Sequence, residues 1–377
     1  MTGVFRESPP AESSLQRRAH AARASATGSK DAQGKDAHIP PPEYPFTHAQ
    51  LVAALPADCF ERNHWVALGQ VVQTTATSGA LLWLLTWAPV AALPLVYVAL
   101  GFSLYGYLAI GHECAHGSFT RWPLLNKALG SVTMLAGFMP FENWRQAHFL
   151  HHRWTAHEDL EEYFTYSRVS TPVLTAIRWM LRWLSPIGLF LMHFLYLCGL
   201  RGKNGKLSTD SLFYNPEMNN SLSLVNFAMV IVQWSALAAG FYHAPAATLK
   251  FAFVPLCACG AANLMIGYMQ HRDETGELVA FDATAWTKLR GALQTVDRSF
   301  WPFDFMLHGA ARYHVCHHLF PTMPHYNAPK AMAALADILG PHYHNDGSTA
   351  FIKYHPSLNH SHLVAGDGVL RFYRADG

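Results

Sequence analysis

The chain reads as an all-α integral-membrane protein with four transmembrane helices arranged in two hairpins. Three observations carry that reading. Only 14% of the 377 residues are charged and 51% are hydrophobic, whereas soluble domains carry about 25% charged residues. Four apolar runs approach the roughly 20 residues that cross a bilayer. Lys and Arg are also distributed unevenly among the connections between those runs.

The runs cover residues 66–87, 90–110, 222–242 and 251–269. Little more than Pro89 separates the first two, and a short Ala/Pro-containing link separates the last two. Links that short make tight helical hairpins. Pro94 and Pro255 fall inside spans, which membrane helices tolerate. Ten basic residues, from Arg121 to Lys206, lie between the second and third runs. The hairpin links carry none before Lys250. Positive charge accumulates on the cytosolic side of membrane proteins. The long middle segment and both termini are therefore expected on the cytosolic or stromal side.

Two weaker runs complete the pattern. Residues 128–141 are too few to span, and 171–200 are interrupted by Arg178, Arg182 and Pro186. Both read as interfacial helices with snorkelling arginines, with a further span at 184–200 as the alternative. Residues 1–45 are rich in Ala, Ser, Arg, Gly and Pro, the composition of a disordered tail. The tail has no secretory apolar core, but its Arg/Ser bias admits an organellar transit peptide. Residues 46–340 are expected to form the membrane domain and 341–377 a cytosolic C-terminal tail. The net charge of +2 and the lack of a like-charge run give no reason to expect nucleic acid as a partner. The six cysteines form no CxxC pair or disulfide framework and are expected to be reduced.

Histidine is the anomaly, with 23 copies against 27 Lys+Arg. Nine of them fall into spaced sets. His112 and His116 follow the second run. His148, His151 and His152 form one HxxHH, and His314, His317 and His318 a second. His271 follows the fourth run. Residues at i, i+3 and i+4 share a helix face, so each set aims several imidazoles together. The inferred topology puts all nine on one side of the membrane. Imidazole suits zinc, copper, iron and nickel. Nine converging ligands exceed the need of one ion and match two metals of four or five ligands each. At a membrane interface, such a set suggests oxygen chemistry by two irons on a lipid. No catalytic residue separate from the metal ligands is expected.

These motifs resemble those of the membrane fatty acid desaturase family, especially its acyl-lipid omega-6 (delta-12) and omega-3 branch. The likeness covers roughly residues 42–340. It is carried by His112-Glu-Cys-Ala-His116-Gly-Ser-Phe119 and by the Trp144–Phe164 stretch around the first HxxHH. Tyr268-Met-Gln-His271 and Leu289–Arg298 add to it. The stretch His314-Val-Cys-His317-His318-Leu-Phe-Pro-Thr-Met-Pro-His325-Tyr-Asn327 is the most specific piece. Tyr44-Pro-Phe-Thr47 and Leu55–Phe60 look like the branch's entry segment. The resemblance implies four membrane helices capped by a cytosolic helical domain. It implies a di-iron site on the nine histidines, with O₂ as co-substrate and an acyl lipid as substrate. Electrons would come from ferredoxin or cytochrome b5. No His-Pro-Gly-Gly haem segment is present, so a separate donor protein is expected.

Two positions depart from the pattern. Some family members place Asn four residues before the span-four histidine, where this chain has Gly267. His308 precedes His314 by six residues and is a possible outer neighbour of the site. His112–His116 is also a literal HExxH, which alone would suggest a zinc protease; a protease needs one further ligand rather than seven. Hydroxylase, epoxygenase or acetylenase chemistry on the same scaffold is the nearer alternative. His64, His157, His193, His243 and His325 lack matching spacing and read as structural or solvent-facing, as do His342, His344, His355, His360 and His362. Asp159, Glu161 and Glu162 are candidate partners of the ligand imidazoles. Trp144 and Trp301 read as interfacial anchors.

Overall fold

The computed structural model describes residues 43–157, 187–197, 221–272, 278–281 and 284–357, with the backbone of 360–366 and 369–374. The N-terminal tail through residue 42 lies outside these, as do Asp159, Glu161, Glu162 and residues 158–186 and 198–220. The described chain is mostly helical.

Local chemistry starts and stops the helices. Thr47 and Gln50 form a capping box at α1 (His48–Ala54). The Asn63 side chain accepts the backbone N–H groups of Trp65 and Val66 and opens α2 (His64–Trp87). Pro89 forces a break, and α3 (Leu93–His116) returns beside α2. Gly117, at φ 68°, ends α3 in a left-handed cap immediately after His116. Then follow α4 (Pro123–Thr133) and α5 (Phe141–Trp154). The next described helices are α6 (Ile187–Leu197) and α7 (Ser221–His243). A helical turn and a π-turn at 245–253 lead into α8 (Val254–Gln270).

Among the described residues three helices are long and apolar enough to cross a membrane: Val90–His116, Ser221–His243 and Pro245–Gln270. Helix α2 is as long as α3 but carries Gln70, Gln73, Thr74, Thr75, Thr77 and Ser78, which lower its apolarity. Several of these turn inward. Ser78 Oγ lies 2.8 Å from Ser103 Oγ of α3, and Gln70 and Thr74 are buried. The run at 128–141 is divided between the end of α4 and the start of α5, with a 3₁₀ turn at Met134–Gly137 between them.

Small residues let the apolar helices touch. A Cβ on Gly101 would sit 2.7 Å from the Ala258 carbonyl oxygen, so α3 and α8 approach backbone to backbone there. Asn226 of α7 accepts the Glu142 N–H at 2.9 Å and donates to Ser131 Oγ at 2.8 Å. One amide thus ties α7 to both α4 and α5. His193 of α6 is buried, with Nε2 2.9 Å from the Gly137 carbonyl oxygen.

The remaining elements cover one end of the bundle. They include α9 (Lys288–Ala292), α10 (His314–Leu319) and α11 (Ala328–Leu339). Leu51, Cys59, Leu293, Val315, Leu319 and Leu335 share one core there. Residues 341–377, expected from sequence to be a tail, contain regular structure. Strand β1 (Val279–Phe281) pairs antiparallel with β5 (Val369–Arg374), which pairs with β4 (His360–Gly366). Strand β2 (Asp297–Ser299) runs parallel to β3 (Asn345–Thr349), ahead of α12 (Ala350–Ser357). Short polar strands such as Asn-Asp-Gly-Ser-Thr carry no alternation to reveal them.

The Gly101 contact supplies a stability test. Gly101→Leu should destabilise the protein by about 1–3 kcal/mol through overpacking, read as a lower melting temperature in detergent. Gly69→Leu, with open space at the Cβ position, should leave melting near the wild type. Equal behaviour of the two variants would contradict the packing described for α3 and α8.

Candidate metal centre

Four elements deliver the nine histidines. The last turns of α3 carry His112 and His116, and α5 carries His148, His151 and His152. His271 caps α8, and α10 carries His314, His317 and His318. The structure brings all nine together in two adjoining groups. Ligand atoms of His112, His116, His148, His152 and His317 lie within 4.8 Å of one another. Those of His151, His271 and His318 do the same. His314 joins the second group, with its Nε2 2.9 Å from His271 Nε2 and its ring 4.5 Å from that of His318.

Each HxxHH set straddles the two groups. His148 and His152, one turn apart, share a face, and their Nε2 atoms are 3.0 Å apart. His151 points round the helix to the other group. In α10 the division reverses: His317 reaches His152, Nε2 to Nε2 at 2.9 Å, while His314 and His318 join His271. The groups meet where the His152 and His318 rings stack with centroids 4.3 Å apart.

Outer residues orient the rings. Glu113 is 1% exposed. One of its oxygens lies 3.6 Å from His112 Nδ1. The other accepts Ser118 Oγ at 2.7 Å and the His325 backbone N–H at 3.2 Å. It also lies 3.3 Å from His325 Nδ1. Gln70 Nε2 sits 2.7 Å from His325 Nε2. Thr155 Oγ1 donates to the His151 carbonyl at 2.6 Å and lies 3.2 Å from His318 Nδ1. Asp297 accepts the Val315 N–H at 2.8 Å and the Tyr343 hydroxyl at 2.7 Å, anchoring α10. Burial pushes the Asp297 carboxyl up to about 7.

The donor set fits metal ions. Burial holds the imidazoles of His148, His152, His271, His314, His317 and His318 well below the usual histidine range. Neutral imidazole is the ligating form. Buried ring nitrogens of His116, His148, His152 and His318 have no hydrogen-bond partner. Orphaned buried nitrogens are costly unless something accepts their lone pairs. A cavity beside the groups is lined by Tyr105, Leu108, Met134, Met139, Trp144 and Asn263, and six of the nine histidines border it. Its wall is apolar on the α3 side and imidazole at its base.

Several sequence expectations change. Trp144 is buried and stacks on His148 with centroids 4.5 Å apart, so it forms site wall rather than an interfacial anchor. His325, which lacks ligand spacing in the sequence, is buried beside Glu113 and borders the cavity rather than facing solvent. Glu113, between His112 and His116, was the available signal for this network. Its partner His325 lies 212 residues away, beyond any local spacing rule. His308 is linked to Thr74 Oγ1 at 2.8 Å. Gly267 lines the cavity and offers no side chain there.

Known proteins share this sequence pattern. The family model described as fatty acid desaturase matches residues 85–350. An endoplasmic-reticulum acyl-lipid omega-3 desaturase (cytochrome b5) of Arabidopsis thaliana is 28% identical, over 93% of this chain and 92% of its own. A chloroplastic sn-2 acyl-lipid omega-3 desaturase (ferredoxin) of the same plant is 28% identical, over 100% and 81%. A delta(12)-fatty-acid desaturase of Vernicia fordii is 31% identical, over 84% and 86%.

The Glu113–His325 link predicts its own phenotype. Loss of an outer partner typically lowers metal affinity by about 10- to 100-fold. Glu113→Gln should therefore release metal to a chelator faster than the wild type, followed by elemental analysis after dialysis. Retention equal to the wild type would contradict an orienting role for Glu113.

Proposed function

Because the chain belongs to the fatty acid desaturase family and is an oxidoreductase, we propose that it is an O₂-dependent di-iron acyl desaturase acting on a membrane lipid. The two buried histidine groups of five and four are the observation that carries the reading. The first would hold one iron through His112, His116, His148, His152 and His317, the second through His151, His271, His314 and His318. Two irons would supply the O₂-derived oxidising power that removes two hydrogens from adjacent methylenes, leaving a cis double bond and water.

The chain's own residues do the rest. Leu108, Met134, Met139 and Trp144 offer an apolar wall for an acyl chain and exclude water from it. The cavity is lined from α3, α5, α8 and α10 together, and its apolar side suits the acyl chain of a membrane lipid. The relatives suggest a lipid-linked oleoyl or linoleoyl chain, desaturated at the delta-12/omega-6 or omega-3 position. Their names, one with cytochrome b5 and one with ferredoxin, support a separate electron-donor protein for this chain too.

In this reading α2 is the fourth span, packed through its polar face on α3, so that two hairpins cross the membrane. The site and both termini face the cytosol or stroma, the tail occupies residues 1–45 and the catalytic domain 46–340. The zinc-protease alternative requires Glu113 as a free general base. Here Ser118, His325 and His112 surround that carboxylate.

The test is the fatty acid profile of a host that makes only saturated and monounsaturated lipids. Expression should add dienoic or trienoic acids, and their double-bond positions assign the regioselectivity. His151→Ala and His317→Ala, one from each group, should abolish the new products while the protein still inserts in membranes. Wild-type product levels in either variant would refute the two-group assignment. Hydroxy or acetylenic products would move the chemistry to the related alternatives.

A further inference from the structure

Residues 299–309 connect β2 to the turn before α10, and part of this segment packs against the middle of α3. The Phe303 ring stacks on Phe102 with centroids 4.5 Å apart and 1° between planes. A Cβ on Gly106 would sit 2.6 Å from the Met306 carbonyl oxygen. Phe102 and Gly106 belong to the spanning-length helix Val90–His116 of 27 residues. That helix is about 40 Å long, and the hydrocarbon core takes about 20 of its residues. The possible windows run from residues 90–109 to 97–116, and every one contains residues 97–109. Phe102 and Gly106 therefore lie at hydrocarbon depth wherever the helix sits in the bilayer.

We infer that residues 299–309 form a re-entrant loop inserted among the acyl chains of the bilayer, with Trp301 and Phe305 facing lipid. Trp301 is 71% exposed and Phe305 57%. Two bare aromatics in water would be an apolar patch without a partner, whereas in hydrocarbon they are solvated. Non-helical backbone survives at such depth only if its polar groups are satisfied within the protein. From Phe300 to Gly309 seven of the nine backbone N–H groups donate within the loop, and Pro302 has none. The Asp304 carboxylate accepts Ser299 Oγ and the Phe300 N–H within the loop. Gln73 of α2 donates to the Phe305 carbonyl, and Thr74 Oγ1 contacts His308 Nε2. Ala310, Ala311 and Tyr313 of the returning arm line the cavity. The loop thus joins the lipid-facing surface to the wall of the site.

The inference rests on Val90–His116 crossing the membrane and not on the identity of the metal. Its test is spin labelling of the full chain in phosphatidylcholine vesicles, comparing collisions with oxygen and with a water-soluble nickel complex. Labels go on Phe305→Cys, Trp301→Cys, Val98→Cys as a mid-span reference and Lys330→Cys as an aqueous one, each read against the unsubstituted chain. The expected result is an oxygen-to-nickel ratio at 305 and 301 like that at 98 and well above that at 330. A lipid-like ratio at 98 with water-like ratios at 305 and 301 would overturn the loop inference alone. Water-like ratios at all three would overturn the spanning reading and the loop with it.

Discussion

Imidazole nitrogens facing one another at 2.9–3.0 Å in a buried volume set the terms for the rest of the structure. Several of these rings lack any hydrogen-bond partner for at least one nitrogen. Neighbouring rings cannot all be protonated, because like charges at this distance repel strongly in a low-dielectric interior. The arrangement is reasonable where cations accept the lone pairs. Such convergence needs α3, α5, α8 and α10 to arrive within a few ångströms of one point.

The apolar bundle supplies that convergence. Helices α3 and α8 pack against each other and end at His116 and Gln270, each beside candidate metal ligands. Backbone contact at Gly101 fixes their separation. Asn226 and Gly130 then seat α5 against the bundle. The polar stripe of α2 meets this assembly from outside. Gln70 reaches through His325 to Glu113 and so to His112. A residue of the most polar long helix is thereby connected to a candidate ligand carried by an apolar one.

The apolar helices of spanning length at 90–110, 222–242 and 251–269 and the convergence of the nine histidines were legible because each obeys a local rule. Apolar length marks a span, and the i, i+3, i+4 spacing marks a shared face. The exchange of His151 and His317 between groups was not legible, since it depends on how α5 and α10 cross. Contacts across 212 residues, as between Glu113 and His325, leave no trace in spacing. The pairing of β3 with β2 was missed because Asn345–Thr349 is short and polar. Trp144 was misread because aromatic residues near a membrane surface serve equally as anchors or as walls, and only burial separates the two.

Metal analysis of the purified full-length protein tests the central claim most directly. Elemental analysis and Mössbauer spectroscopy on protein from iron-57-fed cells would count and identify the ions. Two irons per chain, falling on replacement of His152 or His318, is the predicted result. A single zinc per chain, or two irons undiminished by loss of both histidines, would contradict it.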